Sequence, residues 1–291
     1  MESSELLKKV RKIEIKTRGL SSQVFSGEYH SAFKGRGMAF SEVREYIPGD
    51  DIRSIDWNVT ARFNHPYVKV FEEERELTVM LLVDVSASGN FGTNHQFKRD
   101  LITELSAVLA FSAIENNDKA GMILFSDKIE LFIPPKKGKT HILRIIRELI
   151  NLEPAGKGTD INLALRYFNN MIKKRCIAFL ISDFMNAGFE DAIKVASKKH
   201  DLAALRIYDP REEEMPDIGL VRFTDAETGE TSLLDSGNIN VRRDYNIWFR
   251  QTNAHTTELL NRCGIDHATL RTDRPYVQPL INLFKKQERR A

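Results

Sequence analysis

The sequence predicts an α/β protein: a mostly parallel sheet with helices on both faces, preceded by an N-terminal segment of irregular and β character. Three observations lead there. From Leu77 onward several short runs are apolar throughout, which marks strands buried on both faces. Stretches of helical periodicity separate these runs, as parallel pairing requires. Before that point, from Met1 to Glu76, long regular periodicity is missing, and Gly27, Gly35, Gly37 and Gly49 punctuate the chain.

Taken in order, Leu6, Leu7, Val10 and Ile13 fall near one face and predict a helix over Glu5–Thr17. Short strands are expected around Met38–Tyr46 and Tyr67–Phe71, on either side of a Pro48-Gly49-Asp50-Asp51 turn. Leu77–Asp84 reads as a buried strand, followed by an amphipathic helix over Gln96–Asn116. A strand at Ala120–Phe125, its hairpin partner at Ile129–Ile133 and a helix at Thr140–Leu152 come next. Then follow a helix over Asp160–Lys173, a strand over Cys176–Ser182, a helix over Phe189–Lys199 and a strand over Leu202–Tyr208. A small β insertion near 219–234 turns at Thr228-Gly229. A long helix over Val241–Arg262, a strand at Asp266–Leu270 and a helix over Val277–Lys286 complete the pattern. Two regions result, 1–76 and 77–291.

Bulk properties exclude several classes. A chain of 291 residues that is 42% hydrophobic and 29% charged buries an ample core without disulfide or metal. The 43 basic and 41 acidic side chains nearly cancel, so no basic field favours nucleic acid. The local cluster Lys285, Lys286, Arg289 and Arg290 reads as a solvated end. Cys176 and Cys263 lack metal-ligand spacing and read as small buried hydrophobes in a reducing compartment. No apolar run approaches the roughly 18 residues of a membrane span. Met1–Lys9 is too polar for a secretory leader, so the expected location is cytoplasmic.

Ligands of parallel sheets bind at the carboxyl ends of strands. There the first buried strand ends in Asp84-Val85-Ser86-Ala87-Ser88-Gly89. An acid and two hydroxyls at alternate positions beyond a buried strand are costly unless something bonds them. These hard oxygen donors suit Mg²⁺ or Mn²⁺, and no histidine or cysteine nearby suggests zinc. The loop Gly156-Lys157-Gly158-Thr159-Asp160 adds the Thr159 hydroxyl, with Asp160 as helix N-cap. The strand Ile177–Ile181 ends in Ser182-Asp183, a second carboxylate at the same sheet edge. A plainer reading makes Ser86 and Ser88 turn residues and Asp84 a cap.

These three pieces together resemble the metal-ion-dependent adhesion site of von Willebrand factor A domains, whose sheet is Rossmann-like. The resemblance assigns Asp84, Ser86, Ser88, Thr159 and Asp183 as metal ligands, the hydroxyls directly and the carboxylates largely through water. It implies a cation with an open position that a partner's Asp or Glu fills.

The N-terminal stretch from Glu42 to Trp57, with Thr60-Ala61-Arg62 and Val68–Arg75, resembles the domain-of-unknown-function family fifty-eight. That resemblance implies action alongside a MoxR-type AAA+ ATPase. Membrane helices that precede this segment in many members have no counterpart in the sequence. Glu42, Arg44, Glu45, Asp50, Asp51, Arg53, Asp56 and Arg62 around Trp57 suggest a buried ion-pair network docking the segment on the sheet. The alternative is a partner-facing or catalytic role for Asp50, Asp51 and Asp56, with Arg62 joining them as a partner-binding candidate.

Other chemistries fit less well. A haloacid-dehalogenase-type phosphotransferase would need an acid where Ser86 stands, and a serine hydrolase would need a glycine ahead of Val85. Gly35-Arg36-Gly37 has neither nucleotide-binding fingerprint, and Tyr245, Trp248 and Phe249 read as core. The expectation is a non-enzymatic, metal-dependent interaction module with no catalytic residue; the alternative is a metal-dependent hydrolase of phosphoesters or peptides.

Overall fold

The structure is a computed structural model that describes residues 39–63, 65–72, 77–93 and 96–288. The helix expected over Glu5–Thr17, and Arg289 and Arg290, lie outside the described residues. The chain divides between Leu77 and Thr78 into two compact units.

In the smaller unit, β1 (Ala39–Glu45) pairs antiparallel with β2 (Tyr67–Glu72), with Glu45 opposite Tyr67. Between them lie a 3-10 turn, Ile52–Ser54, and a short helix, α1 (Trp57–Phe63). Capping explains both. Asp51 accepts the Arg53 N–H at 3.0 Å, and Asp56 accepts those of Asn58 and Val59 at 2.9 and 3.3 Å. α1 is absent from the periodicity reading because seven residues with no buried position leave no apolar stripe.

The buried ion-pair network expected here is not what forms. Arg44 and Asp50 make a two-pronged pair at 2.7 and 2.8 Å, but the arginine is 40% exposed, and Trp57 is 68% exposed. Lys69 reaches Asp56 at 3.5 Å. The acids mainly hold turns, and Arg62 stands exposed at the end of α1.

The larger unit runs β3 (Thr78–Asp84), α2 (Lys98–Glu115), β4 (Lys119–Phe125), β5 (Ile129–Lys136), α3 (Lys139–Asn151), α4 (Ile161–Met171) and β6 (Ile177–Ser182). It continues through α5 (Glu190–Lys199), β7 (Asp201–Tyr208), α6 (Pro210–Glu213), a hairpin of β8 (Leu220–Thr224) and β9 (Thr231–Asp235), α7 (Ile239–Arg262), β10 (Asp266–Arg271) and α8 (Val277–Glu288). Six strands form one sheet in the order β10-β7-β6-β3-β4-β5, parallel except for β5, which lies antiparallel on the margin. This is the predicted α/β architecture.

Right-handed crossovers fix which helix covers which face. The chain leaves β3 toward β4 on one side and leaves β6 toward β7 on the other, so α2 and α5 cover opposite faces. Met80, Leu82, Ala178, Leu180 and Ala204 turn toward α4, α5 and the end of α7, packing on Phe168, Ile193 and Leu260. The alternate residue Phe179 meets Phe284 of α8 edge-on at 6.1 Å. Because consecutive strands depart in opposite directions, β3 and β6 flank a crevice at their carboxyl ends.

Two expectations for the helices are corrected. α2 is not amphipathic: every residue from Leu101 to Ala113 is buried. Its sequence is apolar or small all round, and its one acid there, Glu104, accepts the Tyr276 hydroxyl at 2.6 Å. On α7, Phe249 is core at 2% exposure, whereas Trp248 is half exposed and Tyr245 only half-buried. Their i, i+3, i+4 spacing sets the three on one face, of which only the Phe249 side is covered, while the Tyr245 and Trp248 rings lie 5.7 Å apart toward its margin. α7 ends with Gly264 at φ 67°, where the Ile265 N–H reaches the Leu260 carbonyl at 2.9 Å.

Cys176 is buried, and its thiol is pushed up to about 12 by burial and then by Asp201. Its sulfur lies 3.3 Å from Nδ1 of His200, a ring that also stacks on Phe168. Burial, then Lys199, lowers His200 to about 4. A buried imidazole of this kind stabilises the fold when neutral. That contribution is complete above about pH 6.5 and fades as pH falls toward 4, a loss of up to about 3 kcal/mol. Urea titrations across that window should show a flatter pH slope for His200→Leu than for the parent; equal slopes would contradict the assignment. No helix among the described residues is long and apolar enough to cross a membrane.

Candidate functional site

The crevice holds a cluster of oxygen donors built from both flanking strands. Asp84, the last residue of β3, accepts the Ser86 N–H at 2.9 Å on one oxygen and the Ser182 hydroxyl at 2.6 Å on the other. The Ser86 and Ser88 hydroxyl oxygens are 3.1 Å apart, and Ser88 donates to Asp183 at 2.8 Å. Asp183 also accepts the Met185 N–H at 3.2 Å, and Phe184 between them adopts φ 58°, a turn that brings the chain sharply out of β6. Asp84, Ser86 and Asp183 are buried. Four of the five residues picked out by sequence therefore form one hydrogen-bonded group.

Thr159 joins by a different route. Its loop is tied to the Ser86–Ser88 loop by the Ala87 N–H, which reaches the Lys157 carbonyl at 2.9 Å. Asp160 caps α4 by accepting the Leu163 N–H at 2.8 Å. Glu130 on β5 accepts the Gly156 and Ala155 N–H groups at 2.7 and 3.1 Å. A side chain at Gly156 would place its Cβ 1.8 Å from the Asp127 carboxylate and 2.2 Å from the Ser126 hydroxyl, so either would have to move to admit one. The Thr159 hydroxyl itself donates to Glu227, at the β8–β9 turn, at 2.8 Å.

One cation is already built in. Lys98, the first residue of α2 and 1% exposed, places its ammonium 2.9 Å from Asp183 and 2.6 Å from Glu212. A positive charge at a helix N-terminus opposes the helix dipole, so these two acids hold it there. Glu212 is fixed in turn by the capping box of α6, accepting the Asp209 N–H at 2.8 Å.

The carboxylates respond to this asymmetry. Burial, then the charge of Asp183, raises Asp84 to about 7. Burial would raise Asp183 as well, but the Lys98 ammonium and the hydrogen bonds from Lys98 and Ser88 hold it below the ordinary carboxylate range. Lys98 is raised: burial works against its charge, and Asp183 with Glu212 outweighs it. A cavity of about 220 Å³ adjoins the group, with Asp84, Ser86, Arg99 and Gly156 in its wall.

The donor set fits a hard divalent cation. No cluster of three or more His, Cys, Asp or Glu able to hold a metal occurs among the described residues, so such a site depends on the hydroxyls. Ser88 gives its proton to Asp183, which leaves its oxygen an acceptor, shared with the Ser86 hydroxyl 3.1 Å away. Asp84 and Asp183 supply the carboxylate charge, the second of them already paired with the Lys98 ammonium.

Of the candidate partner-binding residues, Asp50, Asp51 and Asp56 have the local roles described for the smaller unit, and Arg62 is exposed. Lys98, Glu212 and Glu227 went unread in the sequence. Asp209-Pro210-Arg211-Glu212 carries a capping-box signature that could have revealed Glu212; Lys98 and Glu227 give no local signal.

Comparison with known proteins bears on the whole chain. It is 29% identical over 294 residues to the uncharacterized protein Rv1480 of Mycobacterium tuberculosis, covering 100% of this chain and 92% of that relative. The uncharacterized protein Mb1516 of Mycobacterium bovis matches with the same identity and coverage. The uncharacterized protein YeaD of Bacillus subtilis is 28% identical over 109 residues, 38% of this chain and 25% of the relative. Among solved structures, the conserved hypothetical protein BatB of Bacteroides thetaiotaomicron aligns with a TM-score of 0.49 at 18% identity, over 73% of this chain and 99% of that one. Residues 42–255 match the family model described as "Protein of unknown function DUF58", a span reaching from β1 past the whole oxygen cluster, and the chain belongs to that family.

Proposed function

We propose that this protein is a non-enzymatic, metal-dependent interaction module of the von Willebrand factor A type, acting as a partner of a MoxR-type AAA+ ATPase. The observation that supports it is the convergence of Asp84, Ser86, Ser88 and Asp183 in one hydrogen-bonded group at the switch point of the sheet, with Thr159 on the adjoining loop. Asp84, Ser86, Ser88, Thr159 and Asp183 would hold Mg²⁺ or Mn²⁺. The bound ion would supply positive charge and an open position for a carboxylate oxygen, and Mg²⁺ exchanges a water for such a ligand readily.

This chain's own groups supply the rest. Asp84 and Asp183 provide the charge that retains a cation, and the neutral hydroxyls add donors without cancelling its attraction for a further acid. Lys98 fixes the Asp183 carboxylate in place. The hydrolase alternative would use Asp183 as base, but that carboxylate already accepts from Lys98, Ser88 and Met185, which favours the non-catalytic reading.

The test is capture from native lysate by wild type and Asp84→Ala, each with Mg²⁺ and with EDTA. Wild type with Mg²⁺ should retain a AAA+ ATPase at least tenfold above the other three conditions. Equal retention in all four would remove the metal from the interaction.

A further inference from the structure

The β8–β9 hairpin combines an unusual body with an unusual tip. Its strands are mostly exposed: Leu220, Phe223 and Leu233 are 70%, 51% and 68% accessible, and only the cross-strand pair Val221 and Leu234 is half-buried. Its base is tied by the Ser236 N–H and hydroxyl to the Gly219 carbonyl at 2.8 and 2.7 Å, and by Arg242 to Asp217 at 3.0 Å.

The turn is stiff. Asp225 accepts the N–H groups of Glu227 and Thr228 at 2.8 and 3.1 Å, and Gly229 takes φ 75°. Within this exposed turn only Glu227 is half-buried, because its carboxylate rests on the oxygen cluster. One oxygen accepts the Thr159 hydroxyl at 2.8 Å, and the other lies 3.8 Å from where a Cβ on Gly158 would stand. The preceding residue, Ala226, forms part of the wall of the cavity beside Asp84 and Ser86. The hairpin thus sets a carboxylate directly on Thr159, one of the five proposed cation ligands.

We propose that Glu227 is an intramolecular ligand of the cation site, filling the position an acidic side chain of a binding partner would take. This rests on the metal-site reading given above. The hairpin is then a built-in competitor: a partner's acid enters only as Glu227 leaves, and the exposed strands let the tip lift about the tied base. Apparent affinity for an outside carboxylate falls by the fraction of molecules in which the tip is down.

The experiment compares wild type, Glu227→Gln, Glu230→Gln and Asp84→Ala, using calorimetric titration with MgCl₂ and Mg²⁺-dependent retention of fluorescently labelled poly-L-glutamate. Glu230→Gln removes an exposed acid of the same hairpin and controls for charge. Glu227→Gln should bind Mg²⁺ about tenfold more weakly, in the range seen when a group supporting a metal site is lost. It should nevertheless hold poly-L-glutamate severalfold more tightly at saturating Mg²⁺. Glu230→Gln should match wild type in both, and Asp84→Ala should show neither. Wild-type Mg²⁺ affinity in Glu227→Gln would overturn Glu227 as a ligand while leaving the site intact. Unchanged poly-L-glutamate retention would overturn the competition. Absence of Mg²⁺ binding by wild type would overturn the metal site and this inference together.

Discussion

In EDTA, Lys98→Met should lower the unfolding free energy by about 3–5 kcal/mol, the usual cost of stranding a buried charge. The lysine is 1% exposed and lies between Asp183 and Glu212, so methionine, similar in length and apolar, leaves both acids without their cation. Glu212→Gln should cost less. Burial already raises the Glu212 carboxyl, and glutamine keeps one carbonyl oxygen for either the ammonium or the Asp209 N–H, which sit on different oxygens of the carboxylate. Combining the two substitutions should recover at least about 1 kcal/mol relative to the sum of the single losses, since the residues share one hydrogen bond. Urea denaturation of the four proteins measures the cycle. A loss below about 1 kcal/mol for Lys98→Met would mean that water or rearrangement replaces the ammonium without difficulty.

Saturating Mg²⁺ should raise the melting temperature of the wild-type protein and leave Asp84→Ala unmoved. A ligand at a hundred times its dissociation constant stabilises the folded state by about 2.7 kcal/mol. For a unit of this size each kcal/mol moves the midpoint by roughly 2–4 °C, so a shift of about 5–10 °C is expected. The physical source is the repulsion between Asp84 and Asp183, which burial amplifies and which Lys98 relieves only on the Asp183 side. Mn²⁺ should act similarly, since it too favours oxygen donors. An equal shift in wild type and Asp84→Ala would place the stabilising ion elsewhere.

The sheet was legible because its strands are buried on both faces. A run such as Val79-Met80-Leu81-Leu82-Val83 has no polar position to obscure it, and its boundaries agree with β3 within a residue. Asp84, Ser86, Ser88 and Asp183 stand out for the same reason, as polar groups directly after such runs, whereas Thr159 is read from the glycine-rich loop ahead of a helix. What escaped depends on tertiary approach. Lys98 is a basic residue opening a helix, unremarked until β6 and α6 bring acids to it from 85 and 114 positions along the chain. Glu227 is one acid in a polar turn until the hairpin carries it back to Thr159, 68 residues away. The misread amphipathicity of α2 has a related cause: its serines, threonine and small residues look like a polar face, yet they are where neighbouring elements come closest.

The antiparallel strand at the sheet margin has a consequence for self-association. β5 carries Pro134 and Pro135 consecutively, and neither has an N–H to offer an incoming strand. Just beyond them come Lys136 and Lys137, charges that a second sheet laid edge to edge would have to desolvate. On this side the ladder stops with the chain's own last strand. Recruitment of another polypeptide by strand addition here would meet a proline-interrupted edge and two ammonium groups within four residues, a barrier to amyloid-like growth written into the strand itself.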